Sequence, residues 1–179
     1  AQRLQAETRD AAAQARAADI EATLKRLTRL SERLMQLARA EGGRLRLDHA
    51  SDLRLVARIL TDELARLAGA GRLALTLPPE PVMSDLDPDV FAILLRNLVE
   101  NALRHGAAGA PIQITLSRDG VLTVANEGPV VPSDVLSHLV DRFERAGTQA
   151  EGSGLGLAIV QAIAQRIDRA LLLHSPRPG

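Results

Sequence analysis

Leu94-Leu95-Arg96-Asn97-Leu98-Val99-Glu100-Asn101-Ala102-Leu103-Arg104-His105-Gly106 reads as an amphipathic helix with a polar stripe along one edge. At 100° per residue, Phe91, Leu94, Leu95, Leu98 and Ala102 share a face. Asn97, Asn101, Arg104 and His105 form a second stripe beside it. Amide oxygens suit a hard cation such as Mg²⁺, a guanidinium suits phosphate, and an imidazole can lie against a flat ring. The stripe suits a metal-bound nucleotide. A solvated helix face would carry the same residue types, so the stripe needs a second region to support it.

That region is Gly152-Ser153-Gly154-Leu155-Gly156-Leu157, followed by an apolar run at helical spacing through Ile159, Val160, Ile163 and Ile167. Bare glycine backbone admits an anion closely, and the following helix offers unpaired N–H groups and its positive dipole end. Two nucleotide motifs are excluded. The glycines follow G-x-G-x-G without a preceding apolar strand, unlike a dinucleotide-binding βαβ unit. No G-x-x-x-x-G-K-[ST] occurs, so the chain has no P-loop. Between the two regions, Val121 to Ala125 reads as a strand. Asn126 stands at its end, before a turn at Gly128-Pro129.

These regions, in this order, resemble the catalytic ATP-binding domain of sensor histidine kinases. That domain belongs to the superfamily that includes gyrase, the mismatch-repair ATPases and related chaperones. Leu95–His105 resembles the family's asparagine box, Asn126–Val130 its first glycine box, Leu139–Arg145 its phenylalanine box and Gly152–Leu157 its second glycine box. The resemblance runs from about Asp52 to the C-terminus. It implies an α+β fold: a two-layer α/β sandwich in which a mixed sheet is covered by helices, preceded by a helical-hairpin dimerisation segment.

Residue by residue, the resemblance implies ATP and Mg²⁺ as ligands. Asn101 is the implied main metal ligand, with Asn97 close to metal and phosphates. Arg104 is expected on the phosphate tail and His105 near the adenine. Gly152, Ser153, Gly154, Leu155, Gly156 and Leu157 bring the phosphates onto the following helix. Asn126, with Gly128 in the same box, stands where the family usually has an Asp that accepts from the adenine amino group. An amide oxygen still accepts that bond, and its NH₂ can donate. Val130 replaces the box's second glycine. Gyrase-like relatives carry a Glu four residues before the metal-binding Asn as general base; here that position is Asn97, which cannot take a proton at neutral pH. Glu100 projects to the outer side and reads as a solvated residue.

Residues 1–41 contain no Gly, Pro or aromatic residue and favour helix. Ile20, Leu24, Leu27, Ser31, Leu34 and Ala38 follow a heptad-like seam, broadened by Leu30 and Leu37, and Gly42-Gly43 ends the helix. Such a seam needs a partner, either the chain's own globular domain or a second copy. The resemblance favours the dimerisation hairpin, a homodimer through residues 12–41, with Leu4 to about Arg9 ending the first helix. The expected domains are 1–43 partial hairpin, 44–51 linker and 52–179 ATP-binding domain. The family's acceptor motif, His-Glu-x-x-[ST]-Pro, is absent around His49, His105, His138 and His174. The acceptor is expected upstream of Ala1, so the chain is expected to be a fragment that binds ATP without phosphorylating itself. Full activity would be γ-phosphoryl transfer from ATP to that His and onward to an Asp of a response regulator. Alternatives are a nucleotide-sensing or dimerisation module without catalysis, an ATPase of the same superfamily, and a serine-kinase-type anti-sigma factor.

Composition narrows the classes. Lys+Arg and Asp+Glu are 22 each, which gives no reason to expect nucleic-acid binding. There is no Cys, hence no disulfide or thiolate metal site. No apolar run approaches the roughly 20 residues that cross a bilayer, and no signal peptide is seen. The expectation is a soluble cytoplasmic portion of a bacterial inner-membrane protein. The remaining elements read as a helix over 52–68 capped by Ser51 or Asp52, with Leu53, Val56, Ile59, Leu60, Leu64 and Leu67 inward. Strands follow over 72–77 and 81–84, and Asp87-Pro88 starts the asparagine-box helix. A hairpin spans 112–117 and 121–125, and a lid spans 132–153 with a helical piece over 135–143. A helix over 155–166 and a strand over 170–174 complete the chain. The order suits a mixed sheet with helices on one face.

Overall fold

The computed structural model describes residues 11–69, 71–139 and 155–176. The elements are α1 (Ala11–Gly42), β1 (Arg46–Asp52), α2 (Leu53–Ala68), β2 (Leu73–Thr76), β3 (Met83–Leu86), α3 (Pro88–His105), β4 (Ile112–Leu116), β5 (Leu122–Asn126), α4 (Ser133–His138) and α5 (Gly156–Arg166). The chain divides into two units, Ala1–Gln36 and Leu37–Gly179.

The first unit is helical over its described residues, as the absence of Gly and Pro predicts. The expected seam is exposed at Ile20, Leu24, Leu27 and Leu34, whereas Leu37, which broadens it, is buried. The first hairpin helix expected over Leu4–Arg9 lies outside the described residues.

The second unit is an α+β structure. Parallel pairing of β2 with β4 and antiparallel pairing of β4 with β5 make a mixed three-stranded sheet. Ile112, Ile114 and Leu116 alternate inward from β4 and are fully buried, whereas Gln113 faces out. Helix α3 lies against this sheet and packs on α2 and α5. Contact on so many sides explains why it buries Val90 and Val99 as well as Phe91, Leu94, Leu95 and Ala102. The core is therefore aliphatic: Leu95, Val99, Ile112, Ile114, Leu155, Ile159 and Ile163 are among its fully buried members.

Helix starts follow their caps. Asp52 caps α2 by accepting from Arg54 N at 3.1 Å. Asp87 caps α3 by accepting from Asp89 N at 2.8 Å, with Pro88 in the first turn. Asp52 also accepts from Val82 N at 3.1 Å and from Arg54 Nε and Nη2, and the Arg54 guanidinium reaches the carbonyls of Pro78 and Pro79.

Several expectations need correction. Residues 44–51 are not a plain linker, since β1 pairs antiparallel with β3 as a separate two-stranded sheet. Five steps along β1, from Arg46 to Ser51, match two along β3, from Leu86 to Ser84, so β1 bulges. The short strand expected over 81–84 runs instead from Met83 to Leu86, where β1 supplies its partner. Residues 170–174 alternate between half-buried and exposed but join no ladder among the described residues. Alternation supplies a face, and a strand also needs a neighbouring edge. On α2 the inward stripe is Leu53, Ala57, Leu60, Thr61 and Leu64, while Ile59 and Leu67 are exposed. Glu100 is half-buried and engaged with a neighbour rather than simply solvated. The helical piece expected over 135–143 is α4 as far as it is described, and residues 140–154 lie outside the described residues.

Candidate nucleotide site

Helix α3 carries Asn97, Asn101, Arg104 and His105 along one edge, as the spacing requires. Their environments change along it. Asn97 is only 3% exposed, and its Nδ2 donates to the Ile93 carbonyl one turn earlier at 2.8 Å. Asn101 is half-buried, and Arg104 and His105 are exposed at the end of the helix. The stripe thus starts in the core and emerges at the surface, which is the form of a pocket wall. Partial burial of its ring holds the His105 imidazole below the ordinary histidine range, and the neighbouring Arg104 charge adds to this. Both effects favour the neutral imidazole.

The end of α3 meets the end of β5. Ala107 N donates to the Glu127 carbonyl at 2.7 Å, and Asn126 Nδ2 donates to the same oxygen at 3.1 Å. Gly106 and Gly128 make this approach possible. A Cβ on Gly106 would stand 3.2 Å from Asn126 Nδ2, and one on Gly128 would stand 3.1 Å from the His105 carbonyl oxygen. The structure therefore brings the end of α3 and the Asn126–Gly128 turn together, with the exposed Asn126 against Gly106 and Gly128 against the His105 carbonyl. In the sequence Gly128 stands out as a turn residue, whereas nothing marks Gly106. Only the packing reveals that Gly106 is needed, because its φ of −73° is open to any residue.

Helix α5 starts at Gly156 and packs on α3. Leu155 is fully buried just before it and receives Ile159 N at 2.9 Å, and Leu157 is buried as well. These two leucines fix the helix start by burial, which the motif's glycines alone did not indicate. Gly152, Ser153 and Gly154 lie outside the described residues.

The donor chemistry of α3 fits a hard cation, since Asn97 and Asn101 each offer a carboxamide oxygen. Among the described residues no cluster of three His, Cys, Asp or Glu side chains forms a self-sufficient metal site. A cation here would have to share its ligands with another group, as a phosphate-bound Mg²⁺ does. Among the described residues, no helix is long and apolar enough to cross a membrane.

A family model for histidine kinase-, DNA gyrase B-, and HSP90-like ATPases matches residues 86–178. The signal transduction histidine-protein kinase AfsQ2 of Streptomyces coelicolor is 38% identical over 142 residues, covering 75% of this chain and 25% of AfsQ2. The probable sensor histidine kinase TcrY of Mycobacterium tuberculosis is 36% identical over 164 residues, covering 87% of this chain and 34% of TcrY. Among solved structures, the Acinetobacter baumannii histidine kinase AdeS matches with a TM-score of 0.63 at 25% identity, over 88% of this chain and 75% of that one. The chain spans between 25% and 34% of the length of these two curated relatives.

Proposed function

The chain belongs to the family of histidine kinase-, DNA gyrase B- and HSP90-like ATPases, as the catalytic ATP-binding domain of a sensor histidine kinase, and on that premise we propose how its residues serve phosphoryl transfer. Asn101 ligates Mg²⁺ through its amide oxygen, and Asn97 supports it from one turn earlier. Arg104 neutralises the phosphate tail, and the neutral His105 ring lies against the base. Asn126 meets the edge of the purine. Gly152, Ser153, Gly154 and the start of α5 receive the phosphates on backbone N–H groups. Mg²⁺, when bound, offsets charge on the phosphate oxygens. The protein's own part is positioning and electrostatic preorganisation.

Asn97 favours a kinase over an ATPase. A carboxamide has no basicity at neutral pH, and the one on Asn97 is buried with its NH₂ committed to Ile93. It cannot activate water, so ATP is kept for an acceptor side chain. In the whole protein that acceptor is a His on a dimerisation helix, the product phosphohistidine passes its phosphoryl group to a response-regulator Asp, and two copies associate through the 12–41 seam. The exposure of Ile20, Leu24, Leu27 and Leu34 supports the last point. The whole protein is proposed to be a bacterial inner-membrane sensor with this portion in the cytoplasm.

The observation that carries the reading is the junction of α3 with the Asn126–Gly128 turn, which puts the polar stripe and the base-reading position on one wall. Calorimetric titration with ATP, with and without Mg²⁺, tests it. The original chain should bind in a Mg²⁺-dependent way and Asn101→Ala should lose that dependence. Equal Mg²⁺ dependence in both removes Asn101 from the site.

A further inference from the structure

We infer that Ser175 is a positioning residue of the nucleotide site: its hydroxyl holds Val131 and so fixes the outer end of the turn that begins at Asn126. The inference rests on the reading that the Asn126–Gly128 turn meets the base. It adds a residue that lies outside all four boxes of the site.

The turn is tied at two points. At its inner end Ala107 N donates to the Glu127 carbonyl at 2.7 Å. At its outer end Val131 N donates to Ser175 Oγ at 2.8 Å. Every residue from Asn126 to Val130 is exposed, and exposure ends at Val131, which is half-buried. Packing therefore does little to hold the turn between its ties, and the two hydrogen bonds set its path.

Ser175 is itself delivered by fixed structure. The Ile167 carbonyl, just past α5, receives Arg46 Nη2 at 3.0 Å. The chain then turns at Asp168, whose φ is 57°, with Arg169 N donating to the Ala164 carbonyl at 2.8 Å. Beyond the turn Leu171, Leu173 and Ser175 are half-buried, whereas Ala170, Leu172 and His174 are exposed. One face of this segment is thus seated on the unit, and Ser175 is the member of that face with a hydroxyl. Ser175 links the chain that leaves the phosphate helix to the turn on the base side. Without its bond the turn is held at one end and samples more conformations. A ligand must then order it on binding, which lowers affinity.

Calorimetric titration of the 179-residue chain with ATP and Mg²⁺, set beside amide hydrogen exchange, tests this. In the original chain the Val131 amide should be protected from exchange. Ser175→Ala should lose that protection and bind ATP about three- to tenfold more weakly, the usual net worth of one hydrogen bond. Ser175→Thr keeps the hydroxyl and should restore both. Ser175→Val has the shape of Thr without the hydroxyl and should restore neither. Circular dichroism checks that each variant is folded, and should one fail, exchange at Val131 in the original chain still decides whether the tie exists. Unchanged ATP affinity in Ser175→Ala overturns the inference. Rescue by Val as full as by Thr also overturns it and makes Ser175 a packing residue. An unprotected Val131 amide in the original chain overturns the tie. If the original chain does not bind ATP, the reading of the nucleotide site fails, and exchange at Val131 reports on the tie separately because it needs no ligand.

Discussion

Arg39 and Asp87 stand 3.4 Å apart, Nη2 to Oδ2, while the other oxygen of the same carboxylate caps α3 by accepting from Asp89 N. The two oxygens do unequal amounts of work. The cap satisfies a helix N–H that has no other partner in the helix, whereas the Arg39 side chain is 46% exposed. Asp87→Ala should therefore destabilise the chain by about 1 kcal/mol, and Arg39→Ala by about 0.5 kcal/mol or less. Urea unfolding of both variants checks the order, and a larger loss in Arg39→Ala would contradict it.

Asp52 gives the chain a defined acid sensitivity. Its hydrogen bonds from the Arg54 side chain lower its pKa from 3.8 to about 2, against an opposing effect of burial, with the Arg54 and Val82 backbone N–H groups and the Arg54 charge adding to the lowering. The folded value lies below the unfolded one. The contribution is present in full above pH 3.8 and is lost as pH falls through about 2. Asp52→Asn should be less stable than the original at pH 7, and the gap should narrow as pH falls through that window. A gap that stays constant down to pH 2 would show that the carboxylate charge plays no part.

His105 should titrate below the ordinary histidine value in the nucleotide-free chain, as followed by its imidazole signals in NMR. Burial is the larger cause and Arg104 the smaller, so Arg104→Ala should raise the value only part of the way back. A full return to the ordinary value would make charge, not burial, the main cause. Because the folded value lies below the unfolded one, neutral His105 favours the fold above the ordinary histidine range, and that contribution is lost as pH falls through the depressed value.

Leu95 and Leu55 offer a test of the core. Leu95 is fully buried on α3, and Leu55 is 59% exposed on α2. Leu95→Ala should cost about 2–5 kcal/mol and Leu55→Ala about 0.5 kcal/mol or less. Thermal or denaturant unfolding separates them, and similar costs would mean that the surface of α2 is covered in solution.

The sequence made α3 and α5 legible because both carry strong helical periodicity, and α2 and α3 because each begins at an aspartate cap. The β4–β5 hairpin was legible from its alternation around Arg118-Asp119-Gly120. Strand β1 was not. Arg46-Leu47-Asp48-His49-Ala50-Ser51-Asp52 has one large apolar residue and no alternation, and it becomes a strand only because β3 offers an edge. Residues 170–174 show the converse, an alternating pattern with no edge to join. In the site, the stripe from Asn97 to His105 followed from spacing alone. The need for a bare backbone at Gly106 did not, because it arises between residues twenty positions apart in sequence, Gly106 and Asn126.

The junction after α1 bears on where this chain can be divided. Arg166 Nη1 donates to the Ala40 carbonyl at 2.8 Å, and Arg46 grips both oxygens of Asp85 and reaches the Ile167 carbonyl at 3.0 Å. Asp87 N donates to the Leu45 carbonyl at 2.9 Å, and Leu37, Ala40 and Leu45 are buried. The last turn of the long helix and the strand after it are therefore structural parts of the nucleotide-binding unit, although the alphabet of residues 44–51 looks like a spacer. A shortened chain begun at Asp52 would leave β3 without its partner strand, strip an acceptor from the start of α3 and orphan two arginine contacts at the end of α5. One begun before Leu37 would keep them all.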